Sequence, residues 1–239
     1  MCIRDRYKIA HFSTLVFFRM QMDLTKPIDI YCERLDSSIW AEPINAVTNF
    51  AFVLAAIIMW FRCKNLVEGK VLAVLLFSIG CGSLLFHIFG QTWAAILDVT
   101  SILIFILAYI FVANHRFLVW SKLASIIGVI LFFPYQFLLV SMLSNFQLFG
   151  SSVQYIPIAI LIFIYAALLR KSEQNLSDGL FIGATILCVS IFFRTIDEPI
   201  CQVVSTGTHF VWHILNAVML AWMIEVLRRH MLAGHLIGR

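Results

Sequence analysis

Seven long apolar stretches, separated by short polar loops, dominate the pattern of hydrophobic and polar positions along the chain. Each stretch approaches the roughly 20 residues that an α-helix needs to cross the hydrocarbon core of a bilayer. Within each stretch the apolar residues run continuously and do not alternate strictly with polar ones. We therefore predict seven membrane-spanning helices, spans 1 to 7, at 44–61, 71–89, 94–113, 123–142, 153–169, 179–194 and 207–227.

The composition supports a membrane protein. Of the 239 residues, 62% are hydrophobic and 13% are charged, which is more apolar than a soluble core of this length requires. In lipid every backbone polar group must be paired internally, so only helices and closed barrels span a membrane. The uninterrupted runs lack the alternation of a barrel. The predicted fold class is an all-α, polytopic membrane protein, a seven-transmembrane helix bundle.

The positions of Lys and Arg predict the orientation of this bundle. The formal net charge is +4, but the basic residues form short clusters between spans, and no nucleic-acid motif or partner is indicated. Basic residues concentrate in cytoplasmic loops, and here loops 1, 3 and 5 and the tail carry them, whereas loops 2 and 4 carry none. The N-terminus is thus predicted outside and the C-terminus in the cytoplasm. The clusters are Arg62, Lys64 and Lys70, then Arg116 and Lys122, then Arg170 and Lys171, then Arg228, Arg229 and Arg239.

The chain before span 1 divides into two parts. Residues 1–21 do not resemble a signal peptide, because their short apolar part closes with Arg19 and not with a cleavage site, and their opening is typical of a translated sequencing adapter. We treat them as an untrusted leader, with a start at Met20 or Met22. The predicted organisation is an acidic extramembrane segment at 22–43, a seven-span domain at 44–227 and a basic cytoplasmic tail at 228–239.

Ionisable residues inside the apolar runs form a second pattern. His209 and His213, at the start of span 7, are four residues apart and so share one face of a helix. Ser83 and His87 lie one turn apart near the end of span 2, and Asp98 follows at the start of span 3. Such residues at membrane depth are costly and usually line a cavity, pair or bind something. The predicted topology places all of them near the outer surface, so we expect one site.

Three histidines with an open fourth position are the ligand set of a catalytic zinc. A lone histidine is more often a hydrogen-bonded packing residue, but the shared depth of His87, His209 and His213 favours a common Zn²⁺ ion. Asp98 is either a partner that orients a histidine or the base that takes a proton from the metal's water. Ser83 either bonds a backbone carbonyl or directs its hydroxyl at a substrate carbonyl oxygen.

The acidic segment has two interpretations. Asp29, Glu33, Asp36 and Glu42 lie within fourteen residues of one another near the membrane surface. They are either an ordinary solvated lead-in to span 1 or oxygen ligands for Ca²⁺. Near span 7, Arg194 and Asp197 are expected to form a structural ion pair, with Asp197 at the end of its helix.

Apart from Cys2 in the leader, two of the six cysteines lie outside the spans on the predicted external side, where disulfides persist. Cys32 precedes span 1 and Cys201 precedes span 7, and these segments must approach each other if the acidic segment covers the polar site. We predict a disulfide between them; the alternative is two unpaired thiols. Cys63, Cys81 and Cys188 lie in or beside spans and are expected to be small packing residues.

Together these motifs resemble one family. The spacing of the serine, the aspartate and the three histidines is similar to that of the alkaline ceramidases, which belong to a superfamily of seven-span hydrolases that includes adiponectin-receptor-like proteins. The likeness runs from about Asp29 to Trp222. The quoted motifs are Ser83-x3-His87, Asp98, His209-x3-His213, Tyr31-Cys32-Glu33, Trp40-Ala41-Glu42-Pro43-x-Asn45 and Arg194-x2-Asp197-x3-Cys201.

The resemblance implies an intramembrane zinc amidase that cleaves the N-acyl bond of ceramide, or a related N-acyl lipid, to a sphingoid base and a fatty acid. His87, His209 and His213 would hold zinc, Asp98 would activate its water, and Ser83 would support the oxyanion. The orientation predicted from Lys and Arg places this site on the extracytoplasmic side, periplasmic or lumenal.

The resemblance also implies calcium beside the zinc site. Glu33 and Glu42 match the two calcium-binding glutamates of the family best, although the gap between them is two residues shorter here. Asp29 is displaced by one residue from the family's aspartate.

Two other functions are open. One is a receptor-like or lipid-sensing seven-span protein with a structural zinc; the Trp-Ala-Glu-Pro stretch at 40–43 favours the ceramidase side of the superfamily over it. The other, a transporter, is disfavoured because the sequence shows neither internal repeats nor, by our prediction, helix-breaking residues at mid-span.

Overall fold

The structure, a computed structural model, describes residues 23–145 and 149–236, so the predicted leader lies outside the described residues. Regular structure in the described part is helical, apart from an isolated bridge between Pro27 and Gln91. A π-helical turn at Ala113–Phe117 and 3₁₀ turns at Gly150–Tyr155 and Glu198–Ile200 join the helices. The α-helices are α1 Pro43–Thr48, α2 Phe50–Arg62, α3 Val67–Phe89, α4 Thr92–Val112, α5 Lys122–Ser144, α6 Ile156–Leu169, α7 Gln174–Ile196 and α8 His209–Leu236.

Seven helical stretches within these residues are long and apolar enough to cross a membrane, which confirms the predicted fold class. The first consists of α1 and α2, interrupted only at Asn49. The helices extend a few residues beyond most of the apolar runs, because helical hydrogen bonding continues into the polar flanks. The last helix, α8, reaches Leu236, so most of the predicted basic tail is helical.

Helices α3, α7 and α8 form the centre of the bundle. α8 packs against α7, α2 and α3, while α3 also packs against α2 and α4, and α6 against α7. Leu72 and Leu76 of α3, Leu180 of α7 and Ile224 and Leu227 of α8 are almost completely buried between them. α5 lies at the periphery against α4 and α6, and only Ser125 and Phe132 of this helix are buried.

One expectation about the spans is wrong. Pro134 lies near the middle of α5, so the chain does contain a helix-breaking residue at mid-span. The helix nevertheless continues from Lys122 to Ser144. A backbone facing lipid has no water to bond, so leaving the helix would expose more unpaired groups than the single bond that proline removes.

The segment before α1 is docked on the turn between α3 and α4. The Ile28 amide donates to the Gly90 carbonyl at 2.7 Å, and the Trp40 amide donates to the Ile88 carbonyl at 3.2 Å. Gly90 ends α3 in the left-handed conformation, with a φ of 57°, which glycine adopts without strain. The acidic segment therefore covers the end of the bundle at which α3 ends.

The same segment is tied to the start of α8. Cys32 and Cys201 form the predicted disulfide, with their Cα atoms 5.3 Å apart. Gly207, at a φ of 62°, leaves no room for a side chain, because a Cβ there would overlap the Asp197 carboxylate and approach the Cys32 Cβ to 2.6 Å. The disulfide and this close contact hold the segment beside the first turn of α8.

Candidate metal centre

Three histidines from two helices meet beneath the docked segment. His87 lies in the last turn of α3, and His209 and His213 lie in the first turns of α8. Each is 1% exposed, and one nitrogen from each ring lies within 4.8 Å of those of the other two. The convergence expected from spacing and depth is therefore confirmed.

Hydrogen bonding determines which nitrogen of His213 is free. The Thr48 hydroxyl lies 2.9 Å from the Ile44 carbonyl, to which it can only donate. It can therefore accept from His213 Nδ1, which lies 3.0 Å away. Nε2 of His213 is then the nitrogen with a lone pair, and it is buried without a hydrogen-bond partner. Such a buried, unpaired nitrogen is suited to binding a metal.

A carboxylate fixes His87 in the same way. Oε2 of Glu42 lies 2.6 Å from His87 Nδ1, and a carboxylate can only accept, so Nδ1 carries the proton. Burial raises the pKa of the Glu42 carboxyl, but hydrogen bonds from His87, Arg34 and Asn45 outweigh it and hold this pKa below its ordinary value. Glu42 is thus a carboxylate that orients His87 with Nε2 free, as outer partners of metal-binding histidines do.

His209 is held by its ring face and its backbone. Its ring stacks on that of Tyr31, with the centroids 3.7 Å apart. Its amide donates to Asp197 Oδ1 at 2.8 Å. Arg194 Nη1 lies 3.4 Å from His209 Nδ1, so this ring faces a donor where the other two face acceptors.

An apolar cavity opens from the histidines into the bundle between α4, α6, α7 and α8. Ser83 and Asp98 line its polar end together with His209 and His213. Ser83 is buried, whereas Asp98 is half-buried, and its Oδ1 has no hydrogen-bond partner. The structure therefore places Ser83 and Asp98 in the same cavity as His209 and His213, and their roles in a site stay a prediction.

The expected ion pair between Arg194 and Asp197 is wrong. The Arg194 guanidinium donates to the Tyr31 hydroxyl at 2.6 Å and lies 5.3 to 5.4 Å from the ring centres of Tyr31, Tyr155 and Trp212. These contacts are cation–π interactions within the cavity wall. Asp197 instead accepts hydrogen bonds from the backbone amides of Thr208 and His209 at the start of α8. The first amides of a helix have no partner within it, so they need an acceptor such as this carboxylate.

Glu33 has a similar structural role at α1. Its two oxygens accept from the amides of Ile44 and Asn45 at 2.6 and 2.8 Å. Ile44 and Asn45 are the second and third residues of α1, and they carry its first two N–H groups because Pro43 has no N–H group. A carboxylate there satisfies otherwise unpaired donors and complements the helix dipole.

The remaining acidic residues do not gather into a site. Asp29 and Asp36 are exposed, and Oδ1 of Asp36 accepts from the nearby Ser38 amide. In the described part of the chain, one group of three or more possible ligands lies close enough together to share an ion, and it consists of the three histidines. No group of carboxylates there meets the same condition. The calcium prediction gains no support from this arrangement.

Three contributors to the site were missed at the sequence level. Thr48 and Tyr31 contact histidines directly, and Arg34 bonds the carboxylate that orients His87. The available signals were weak: Thr48 is a polar residue in an apolar run, and Tyr31 stands beside Cys32 in a quoted motif.

Comparison with known proteins gives one family match. The family model described as Ceramidase matches residues 27–233, which is most of the chain. A search of curated proteins finds no match.

Proposed function

The chain belongs to the ceramidase family, and we propose that it is an intramembrane, zinc-dependent hydrolase that cleaves the amide bond of ceramide or a related N-acyl lipid. The products would be a sphingoid base and a fatty acid. The observation that carries this proposal is the group of three buried histidines at the polar end of an apolar cavity within a seven-span bundle.

The residues present fit zinc. His87, His209 and His213 would hold the ion, with Nε2 of His87 and of His213 free for it because their Nδ1 atoms face acceptors. The unpaired, buried Nε2 of His213 is otherwise unexplained. When bound, zinc supplies a Lewis acid that polarises a carbonyl and makes water acidic enough to attack near neutral pH.

Asp98 and Ser83 would act on the substrate from the cavity wall. Oδ1 of Asp98 has no protein partner, so it can take a proton from the attacking water and pass it to the leaving amine. Ser83, one turn before His87, would direct its hydroxyl at the carbonyl oxygen, where negative charge develops during attack.

The apolar part of the cavity suits a hydrocarbon chain. It extends from Asp98 past Phe105 and Tyr109 of α4 to Ala113 and Tyr165. From Asp98 to Ala113 the helical rise of 1.5 Å per residue gives roughly 20 Å, comparable to a long acyl chain. We propose that one chain of the lipid lies here and places its amide beside the histidines.

We also propose that the site faces the extracytoplasmic side. The docked segment and the histidines lie at the end of the bundle opposite Arg62, Arg116 and Arg228. Basic residues favour the cytoplasmic side, so the site would open toward the periplasm or a lumen.

The deciding experiment combines metal analysis with a substrate panel. Protein purified in detergent should contain about one zinc per chain and release fatty acid from ceramides in preference to phospholipid esters. His213→Gln should lose both zinc and hydrolysis. The matched control is His230→Gln, because His230 contacts the Arg116 carbonyl far from the site.

Other outcomes would decide against the proposal. Zinc bound without hydrolysis of any N-acyl lipid would favour the receptor-like alternative. Hydrolysis that persists unchanged in His213→Gln would show that the three histidines are not the reactive centre.

A further inference from the structure

The segment before α1 contains a buried guanidinium whose partners are all oxygen atoms. Arg34 is 5% exposed, and its Nε donates to Glu42 Oε1 at 2.6 Å. Nη2 donates to the main-chain carbonyl of His87 at 3.1 Å. Nη1 lies 3.4 Å from each of two more main-chain carbonyls, those of Asp36 and Ser38. One carboxylate and three backbone carbonyls therefore surround a single organic cation.

This oxygen set is of the kind that binds calcium, which takes carboxylate and backbone carbonyl oxygens. We propose that the Arg34 guanidinium is the resident cation of this segment and that it replaces the calcium ion expected from the family resemblance. In this chain the segment then needs no calcium and binds none. The inference rests on the packing of the segment and is independent of the proposed hydrolysis.

The charges around Arg34 leave no carboxylate for a divalent ion. Glu42 already accepts from Arg34, from Asn45 and from His87. Glu33 is occupied by the first amides of α1. A calcium ion would therefore meet a guanidinium in the same buried space, and like charges repel strongly where water is excluded.

The backbone leaves a space that the guanidinium fills. A Cβ on Gly90 would come within 2.7 Å of Arg34 Nη1 and 2.8 Å of Nη2. A side chain at position 90 would therefore meet the guanidinium where it bonds Glu42 and the His87 carbonyl. The planar fork of arginine can reach several acceptors at once, which a lysine ammonium on the same stem cannot do in this geometry.

Arg34 is consequently a positioning residue for His87. It bonds the His87 carbonyl directly, and it bonds the Glu42 carboxylate that fixes the His87 ring. Calcium would hold the same groups by coordination, whereas here a side chain of the segment itself does so.

The first test uses the unmodified protein. Full-length protein is depleted of calcium and equilibrated with radioactive calcium up to about 1 mM, the range in which weak extracellular sites bind. We expect no stoichiometric binding and no change in the thermal unfolding midpoint. Binding of one calcium ion that is lost in Glu42→Gln, or a rise in the midpoint with calcium, would overturn the proposal.

The second test uses variants of the pocket. Arg34→Ala and Gly90→Ala should each lower the unfolding midpoint and weaken zinc binding by about 10- to 100-fold, the usual effect of losing an outer partner of a metal ligand. The unfolding midpoint and zinc affinity of Arg34→Lys should lie between those of these variants and those of the unmodified protein. The control is Arg116→Ala, which removes an arginine paired with Glu68 at the other end of the bundle and should leave zinc affinity unchanged.

The outcomes separate the two proposals. Unchanged zinc affinity and unfolding midpoint in Arg34→Ala would overturn the role of Arg34. If Arg34→Ala fails to fold, Arg34→Lys and the calcium measurement on the unmodified protein still decide whether the guanidinium takes the place of calcium. If the protein binds no zinc at all, the proposed function fails, whereas the calcium and unfolding results remain valid.

Discussion

Asp98 is the acidic side chain at the polar end of the cavity, and one of its oxygens is buried without a partner. Asp98→Asn removes the ability to accept a proton but keeps the size of the side chain. We expect zinc content to be unchanged and turnover to fall by about 10²- to 10⁴-fold, the usual contribution of a general base. Zinc analysis and initial rates on the same preparation measure both quantities.

Ser83→Ala is the companion to that change and should reduce turnover less, since it removes at most one donor to the oxyanion. Loss of metal together with activity in Asp98→Asn would mean that Asp98 holds or orients the ion. It would not then be the base.

Thr48 allows a prediction about metal affinity alone. Thr48→Val keeps the shape of the side chain but removes the oxygen that accepts from His213 Nδ1. The ring can then rotate or change tautomer, so zinc affinity should fall by about tenfold or more. A competitive chelator titration measures this. Val47→Thr is the control, because Val47 is a nearby exposed residue. An equal loss of zinc affinity in both variants would contradict a specific role for Thr48.

The sequence alone identifies some of the site residues correctly, but it does not identify the partners of others. His209 and His213 are recognisable because helical spacing alone puts them on one face, and topology adds His87. Arg194 was misassigned to Asp197 because the nearest opposite charge along the chain is not the nearest partner in space. Unpaired amides at the start of α8 compete for that carboxylate and bind it.

Among the elements, the disulfide joins the segment before α1 to the segment before α8. Replacing Cys32 and Cys201 by serine should lower the free energy of unfolding by about 2–4 kcal/mol, and less if the membrane already restricts the unfolded chain. Calorimetry or thermal unfolding in detergent measures the change. Cys188→Ser serves as the control, because this cysteine is free and exposed.

Mass spectrometry after alkylation under non-reducing conditions gives the complementary result. Among the cysteines in the described residues, we expect labelling of Cys63, Cys81 and Cys188 in the unfolded protein, and no labelling of Cys32 or Cys201. Labelling of Cys32 and Cys201 as well would show that the bond does not form.

The spans were predictable because hydropathy accumulates along twenty residues and tolerates local exceptions such as Pro134. The docking of residues 23–42 was not, because an irregular segment has no period that identifies its buried face. Arg34 illustrates this: a charged residue in a polar, irregular segment gives no sequence signal of burial, and a side chain at Gly90 would occupy the space that its guanidinium fills.

For the whole molecule, the cavity predicts selection by chain length. Ala113 lines the cavity in the π-helical turn that follows α4, far from the histidines. Ala113→Phe should shorten the cavity, so hydrolysis of long-chain substrates should fall at least tenfold, about 1.4 kcal/mol, relative to short-chain ones. A competition assay with mixed acyl lengths measures the ratio.

Ala167→Phe makes the same substitution on the exposed surface of α6 and should leave that ratio unchanged. An unchanged ratio in Ala113→Phe as well would contradict placement of the chain in this part of the cavity.

The covalent link between Cys32 and Cys201 also bears on how the protein is made. A ribosome produces the first of these cysteines long before the second, which is 169 residues later. Until the sixth loop has been synthesised and exposed to an oxidant, the N-terminal segment has no covalent partner, and two of the three histidines do not yet exist. Nascent chains that stop before the last helix would therefore insert into the membrane without a metal centre, so maturation of the site is confined to the final stage of synthesis.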